Sequence, residues 1–323
     1  MRYGGLERGA LASAVFSETL GRSTFGDFEV TVLAHTDMAS PHLVHSGNEE
    51  QQDRYMERII RGECITAIAV TEPDAGSDVA GIRTRAHHEG GDWVLNGFKL
   101  FITNGVYGDL FVVAARTQPD NPRGLSMFLV EADTPGLEVS RKLEKTGWLC
   151  SDTAELAFRD CRVPGENLLG TPHRGFYEIM RNFQNERLVL SGMRIGASQQ
   201  ALRITYDWTQ SRKTFGGVLF DKQVIRQRLA MLQARVDAAR QLHDHTAWLM
   251  EQGVDATREV SELKALAGEL VNEVLYACVQ FHGGLGYMRE SAIERMARDA
   301  RVMPIGGGAT EVMLEEVAKR TQP

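Results

Sequence analysis

Between Leu6 and Ile60 the apolar residues recur at helical spacing: Leu11, Val15, Phe16 and Leu20, then Tyr55, Met56 and Ile59. Gly21, Gly26, Pro41 and Gly47 interrupt this run, so a small, broken helical region is expected. From Ile65 to about Leu169 the pattern changes to short apolar runs, among them Trp93-Val94-Leu95, Leu110 to Ala115 and Leu125 to Val130, separated by Gly, Asn, Asp and Pro. These are strands, and Gly90-Gly91 has the composition of a hairpin turn. After Gly170 the helical period returns. Val224, Leu229, Leu232, Val236, Ala239 and Leu242 mark one face of a long helix, and Val260, Leu263, Leu266, Leu270, Val274 and Ala277 mark another. Gly253 and Asp255 stand between them, which predicts an antiparallel helix pair of the kind found in four-helix bundles. The order along the chain is helical, β, helical.

With 323 residues, 43% hydrophobic and 24% charged, the chain can bury a full core and accommodate two or three domains. Its net charge of −7 gives no basic footprint for nucleic acid or an anionic membrane. No stretch approaches the ~18 apolar residues of a membrane span, and the polar start Met1-Arg2-Tyr3-Gly4-Gly5 lacks a signal-peptide core. Cys64, Cys150, Cys161 and Cys278 are scattered without a CxxC pair, so buried free thiols are expected, with neither a disulfide framework nor a metal site. His282 and the pair His87-His88 form no catalytic or metal cluster and read as exposed or packing residues. A reducing, cytoplasm-like compartment fits this composition.

The chemistry-bearing segments lie at the ends of predicted strands and helices. Val70-Thr71-Glu72-Pro73-Asp74-Ala75-Gly76-Ser77-Asp78 follows a short apolar strand, and its turn could offer backbone amides to a ring edge or a phosphate. Taken alone, Thr, Gly and Ser there also suit an ordinary turn. The literal string TEPDAGSD, followed by Gly97-Phe98-Lys99-Leu100-Phe101-Ile102-Thr103-Asn104, resembles the paired flavin-site signatures of the acyl-CoA dehydrogenase family. The resemblance continues through Ser211-Arg212-Lys213-Thr214-Phe215-Gly216, Gln223, Gln280 to Tyr287, and Arg298-Asp299-Ala300, and so spans essentially the whole chain.

What the resemblance implies is an α+β protein with an N-terminal helical domain over residues 1–64, a middle β-barrel-like domain over 65–170 and a C-terminal four-helix bundle over 171–323. The family usually reaches the string Tyr3-Gly4-Gly5 only after its first helices, so the N-terminal domain is expected to be truncated. The implied cofactor is FAD. Val70, Thr71, Gly76, Ser77, Phe101, Ile102 and Thr103 match positions around the flavin, where Phe101 replaces the more frequent Trp and keeps its stacking surface. Arg212, Phe215, Gln223, Gln280, Gly283 and Gly284 match positions that hold the pyrophosphate and adenine of a neighbouring subunit's FAD, and Thr310 and Glu311 match the cofactor side of the last helix. An arginine fork can pair two phosphate oxygens at once. A homotetramer or dimer is implied.

Removing a proton α to a thioester needs a carboxylate near that carbon and donors on the carbonyl oxygen. Many family members supply the carboxylate from a loop before the last helix, but here that loop reads Ile305-Gly306-Gly307-Gly308-Ala309-Thr310-Glu311, with Gly307 in the base position. A subgroup that includes the long-chain and isovaleryl enzymes places the base in a string ending Glu-Arg-Leu. Asn185-Glu186-Arg187-Leu188 matches it, so Glu186 is implied as the base, with Phe183, Arg187, Gly307, Gly308 and Ser77 beside the substrate. Ala309 departs from the family's usual Thr and removes one possible FAD contact. The three glycines remove side chains beside the acyl pocket, as in relatives that take branched or bulky chains, although they also suit a flexible turn. The implied reaction is α,β-dehydrogenation of an acyl-CoA to the trans-2-enoyl-CoA in fatty acid β-oxidation, favouring branched or medium to long chains. Electrons would pass to an electron-transfer flavoprotein or similar acceptor, in the cytoplasm or, in a eukaryote, the mitochondrial matrix. An oxidase or monooxygenase on the same fold and a non-catalytic FAD-binding protein remain alternatives, and the Glu186 carboxylate disfavours the monooxygenase.

Overall fold

The computed structural model describes residues 2–6 and 8–321. In chain order the elements are helices α1 (Ala10–Leu20), α2 (Gly26–Leu33), α3 (Ser40–Ser46) and α4 (Glu49–Ile60), then strands β1 (Thr66–Ala69), β2 (Arg85–Glu89), β3 (Asp92–Thr103), β4 (Leu110–Arg116), β5 (Leu125–Glu131), β6 (Leu137–Lys142), β7 (Thr153–Val163) and β8 (Leu168–Leu169). Helix α5 (Gly175–Ser211) follows, then a small hairpin of β9 (Lys213–Thr214) and β10 (Gly217–Val218), and helices α6 (Gln223–Glu251), α7 (Thr257–His282), α8 (Ala292–Ala300) and α9 (Thr310–Arg320). Two compact units emerge. One is built mainly from Val30–Lys145 and Leu149–Asn185, the other from Arg8–Glu29, Thr146–Trp148 and the chain from Glu186 onward.

The first unit is organised by an eight-stranded sheet in the order β6-β7-β3-β2-β4-β5-β8, with β1 added parallel to β4. Strands β4 and β5 are apolar at nearly every position because both faces are covered: one by a cluster containing Leu43, Tyr55, Ile59 and Ile179, the other by Leu95, Leu156 and Phe158. The turn between β2 and β3 has Gly90 at φ +62° and Gly91 at φ +98°, the left-handed pair that a two-residue hairpin demands. Helix α4 is stopped at its start by a capping box, in which Asn48 accepts from Gln51 N–H and the Gln51 side chain accepts from Asn48 N–H. Strand β3 is long and twice irregular in its pairing with β7, between Leu95 and Gly97 and again between Lys99 and Ile102.

In the second unit, α6 buries Leu229, Leu232, Val236 and Ala239, and α7 buries Val260, Leu263, Leu270, Val274 and Ala277, as the apolar stripes require. Three positions depart from the expected pattern. Val224, in the first turn of α6, is exposed and Ile225 takes its place; Leu266 is exposed and Ala267 faces inward. The third departure is α1, where Leu11, Val15 and Phe16 point to solvent while Ala14, Ser17 and Glu18 are buried. The reason is close packing. Gly196 lies against the Glu18 carbonyl and Gly192 against the Ser17 hydroxyl, so small residues let α1 approach α5 on its polar side. Glu18 is compensated there by Arg22 at 2.6 Å and Arg240 at 3.1 Å. Cys64, Cys161 and Cys278 are buried free thiols, but Cys150 is exposed, against expectation, because it sits in the turn after Trp148 rather than in a strand.

Candidate active site

In the first unit, the two signature strings are brought side by side. Strand β1 ends at Ala69, and the chain continues as Val70-Thr71 before folding back on itself through paired backbone bonds between Glu72 and Ala75. Across from it, the second irregularity of β3 inserts an extra residue opposite Leu156 and Ala154 of β7. Phe101 lies in that bulge at φ +60°, a conformation rare for an aromatic residue, and the residue is 64% exposed. A bulge of this kind re-aims a side chain. Leu100 N–H donates to Thr71 O at 2.9 Å, so the Thr71 backbone and the exposed Phe101 ring stand together, with Ile102 buried behind them and Thr103 half-buried. Gly76 and Ser77 are exposed, and a β-carbon on Gly76 would meet nothing within 4 Å. An apolar ring left in solvent at a strained backbone position, beside a backbone edge and an open turn, fits the flat face and polar rim of an isoalloxazine.

Further along the same unit, Phe183 of α5 packs partly buried against the first core cluster. The helix is fixed there by Asn182, which donates to Met38 O at 2.9 Å, and by Asn185, which donates to Asp37 O at 3.0 Å.

In the second unit, Glu186 is buried, only 7% exposed, and the next residue, Arg187, is half-buried. Burial pulls the Arg187 guanidinium down from its usual range, while the Glu186 and Glu316 carboxylates work in the opposite sense. The glycine loop packs on this stretch of α5. Gly307 has φ +70°, and a β-carbon there would lie 2.7 Å from Leu190 Cδ1; one on Gly308 would lie 3.8 Å from an Arg187 terminal nitrogen. Lys264 of α7 is buried and donates to the carbonyls of both Pro304 and Gly308. Burial first, then Arg194 and Arg187, push its ammonium down to about 7. Thr310 N–H closes the loop on Pro304 O at 2.9 Å and its hydroxyl donates to Glu269 at 2.9 Å, whereas Glu311 is exposed.

A separate stretch brings Arg212 near the turn that carries Gln280, Gly283 and Gly284. Trp208 joins them, a residue that the motifs do not mark. Its indole N–H donates to Phe281 O at 3.0 Å, its ring stacks on His282 with centroids 5.3 Å apart, and Arg212 lies over it at 5.5 Å. The signal was available: Trp208 lies in the last turn of α5, four residues before Arg212. Phe215 caps the β9–β10 hairpin and is 94% exposed, while Gln223 is exposed at the start of α6. His282 is a packing residue here, bonded through Nδ1 to Cys278 O at 2.8 Å.

One group among the described residues has metal-ligand proximity, Glu18 with His243 and Asp244. The Glu18 carboxylate is already held by two guanidinium groups, so it makes a poor cation ligand.

Sequence models of the acyl-CoA dehydrogenase N-terminal, middle and C-terminal domains match residues 1–63, 67–161 and 173–322. The mouse long-chain specific acyl-CoA dehydrogenase of mitochondria is 39% identical over 324 aligned positions, which cover 99% of this chain and 74% of that protein. The chain belongs to the acyl-CoA dehydrogenase family. Mitochondrial isovaleryl-CoA dehydrogenase of Pongo abelii is 34% identical over 97% of this chain and 74% of its own length. Among solved structures, a probable acyl-CoA dehydrogenase of Mycobacterium abscessus superposes with a TM-score of 0.96 at 41% identity, over 99% of this chain and 85% of that one. The fold is that of the family, with an N-terminal helical, a middle β and a C-terminal helical domain. As a member of this family the protein is an FAD-dependent oxidoreductase that acts on acyl-CoA.

Proposed function

We propose that the protein removes the α proton of a branched or medium to long acyl-CoA with Glu186 and yields the trans-2-enoyl-CoA. The observation that carries this reading is the glycine loop. Gly307 has no carboxylate, and Leu190 fills the space one would need, while Glu186 lies buried on the preceding turn of the same helix. Glu186 is a carboxylate held in a buried position, the kind of fixed group that general-base work requires. The Gly307 and Gly308 backbone, held by Lys264, supplies N–H donors for the thioester oxygen, which becomes more negative as the proton leaves. FAD, when bound, supplies the acceptor for the β hydride. The chain's part on that side is the platform of Val70, Thr71, Phe101, Ile102 and Thr103, with Gly76 and Ser77 at its rim.

The names of the relatives support the substrate class: one is a long-chain and another an isovaleryl enzyme. The run Gly306 to Gly308, which places no side chain beside the proposed pocket, agrees with a wide acyl site. Phe215, Arg212, Gln223, Gln280, Gly283 and Gly284 are assigned to the pyrophosphate and adenine end of FAD in a neighbouring subunit of a homotetramer or dimer, and Thr310 and Glu311 to the cofactor side of α9. The almost complete exposure of the Phe215 ring is the feature that asks for such a neighbour. An electron-transfer flavoprotein is the proposed acceptor, and a cytoplasmic or matrix setting the proposed location; no helix among the described residues is long and apolar enough to cross a membrane. The three proposed domains are 1–64, 65–170 and 171–323.

The test is anaerobic bleaching of the flavin by straight and branched acyl-CoAs, in the parent and in Glu186→Gln. Bleaching should slow by roughly 10²–10⁴-fold in the variant with FAD still bound, the usual contribution of a positioned base. Equal rates in both would remove Glu186 from this role.

A further inference from the structure

The two flavin-site strings contain a pair of residues to which the resemblance gives no role. Lys99 of β3 is fully buried, and its Nζ donates to Glu72 Oε1 at 2.8 Å and to Val70 O at 3.0 Å. Glu72 is also buried and accepts two further bonds, from Arg83 N–H at 2.6 Å and Thr84 N–H at 3.0 Å. One carboxylate therefore ties the end of β1, the bulge of β3 and the approach to β2. These are the places where the regular ladders fail: β1 stops at Ala69, and the β3–β7 pairing slips between Lys99 and Ile102. Apart from this ion pair, Leu100 N–H to Thr71 O is the bond that joins the two segments there. Buried ion pairs add little net stability compared with apolar side chains of the same size, because desolvation offsets their attraction. What this pair does supply is direction, since an ammonium with two fixed acceptors sets where the Val70 carbonyl points and how far the bulge stands from it.

We propose that the buried Lys99–Glu72 ion pair is a positioning pair for the flavin, holding Val70-Thr71 and Leu100-Phe101 at the separation the isoalloxazine ring requires. This rests on the assignment of these segments to FAD. Neither residue is a catalytic group, because each acts through the backbone it holds.

The experiment compares full-length parent, Lys99→Met/Glu72→Leu, Lys99→Arg, and Leu129→Ala in β5 as a core control in the same sheet. Apoprotein unfolding temperature, FAD dissociation constant and the visible band shape of bound FAD are measured for each. The double variant should unfold near the parent temperature, since an apolar pair replaces a buried ionic one. Its FAD affinity should nevertheless fall by roughly tenfold or more, the equivalent of one charge-assisted hydrogen bond, with a changed band shape. Lys99→Arg keeps the charge and should recover part of the affinity. Leu129→Ala should lower the unfolding temperature and leave the band shape intact.

Parent-like affinity and band shape in the double variant would overturn the proposal and leave the flavin assignment standing. A parent that binds no FAD would overturn both. Should the double variant fail to fold, Lys99→Arg decides alone: weakened FAD binding supports the pair, and unchanged binding with an unchanged band overturns it.

Discussion

Leu190 Cδ1 stands 2.7 Å from the point that a β-carbon on Gly307 would occupy. A side chain at 307 would have to push that methyl aside and also adopt a backbone angle, φ +70°, that side chains resist.

The two causes can be separated by a double-mutant cycle. Gly307→Ala should lose about 1–2 kcal/mol from the left-handed backbone alone, plus the overlap with Leu190. In a Leu190→Ala background the overlap vanishes and only the backbone part remains, so the effect of Gly307→Ala shrinks without reaching zero. Chemical denaturation of the four proteins measures it. For the same reason Glu186→Gln/Gly307→Glu should remain inactive in the bleaching assay.

Phe101 carries the opposite kind of strain. It is exposed, so it contributes little to the core, and its φ of +60° suits glycine far better than phenylalanine. Phe101→Gly is expected to raise the unfolding temperature of the apoprotein while weakening FAD binding. A variant that is both less stable and equally tight for FAD would contradict this assignment.

Glu29 gives a pH signature. Burial first, then the Asp299 and Asp27 carboxylates, push its carboxyl up to about 8, against a hydroxyl bond from Ser23 that favours the charged form. The native state therefore holds a proton that the unfolded chain has already released above about 4.5. Between these two values the native form binds more protons, so stability falls as pH rises, and the contribution is lost above 8. Glu29→Gln stays neutral throughout. Its unfolding temperature should be flatter across this window and exceed that of the parent at pH 9.

Lys264 connects α7 to the glycine loop by two carbonyl bonds. Lys264→Met should raise KM for acyl-CoA and slow bleaching together, because loosening the loop disturbs the thioester donors. FAD affinity should change less than either kinetic parameter. A variant with normal kinetics would show that the loop holds itself through Thr310.

The sequence made the order of elements plain, because helical and strand periods differ and the Gly90-Gly91 turn has few alternatives. It also marked the strings now found together at Thr71 and Phe101. It could not show the bulge, since an extra residue in a strand looks like any other apolar position until its partner strand is fixed. The α1 stripe misled because helix packing there is set by glycines 192 and 196 on another helix. Leu190 against Gly307 was equally hidden, because the two are far apart in the chain, whereas Trp208 beneath Arg212 could be read from its place four residues earlier.

The bulge at Phe101 has a consequence for how the molecule is made. Strand β1 can align only against β4, some forty residues on, and the irregular stretch of β3 can form only against β7, farther still. Closing such long loops is slow compared with winding the α6–α7 helix hairpin. The platform beneath the flavin thus exists only after these non-local strand pairings are in place. In refolding, capture of FAD should trail the recovery of helical signal, so that the cofactor dates the end of folding.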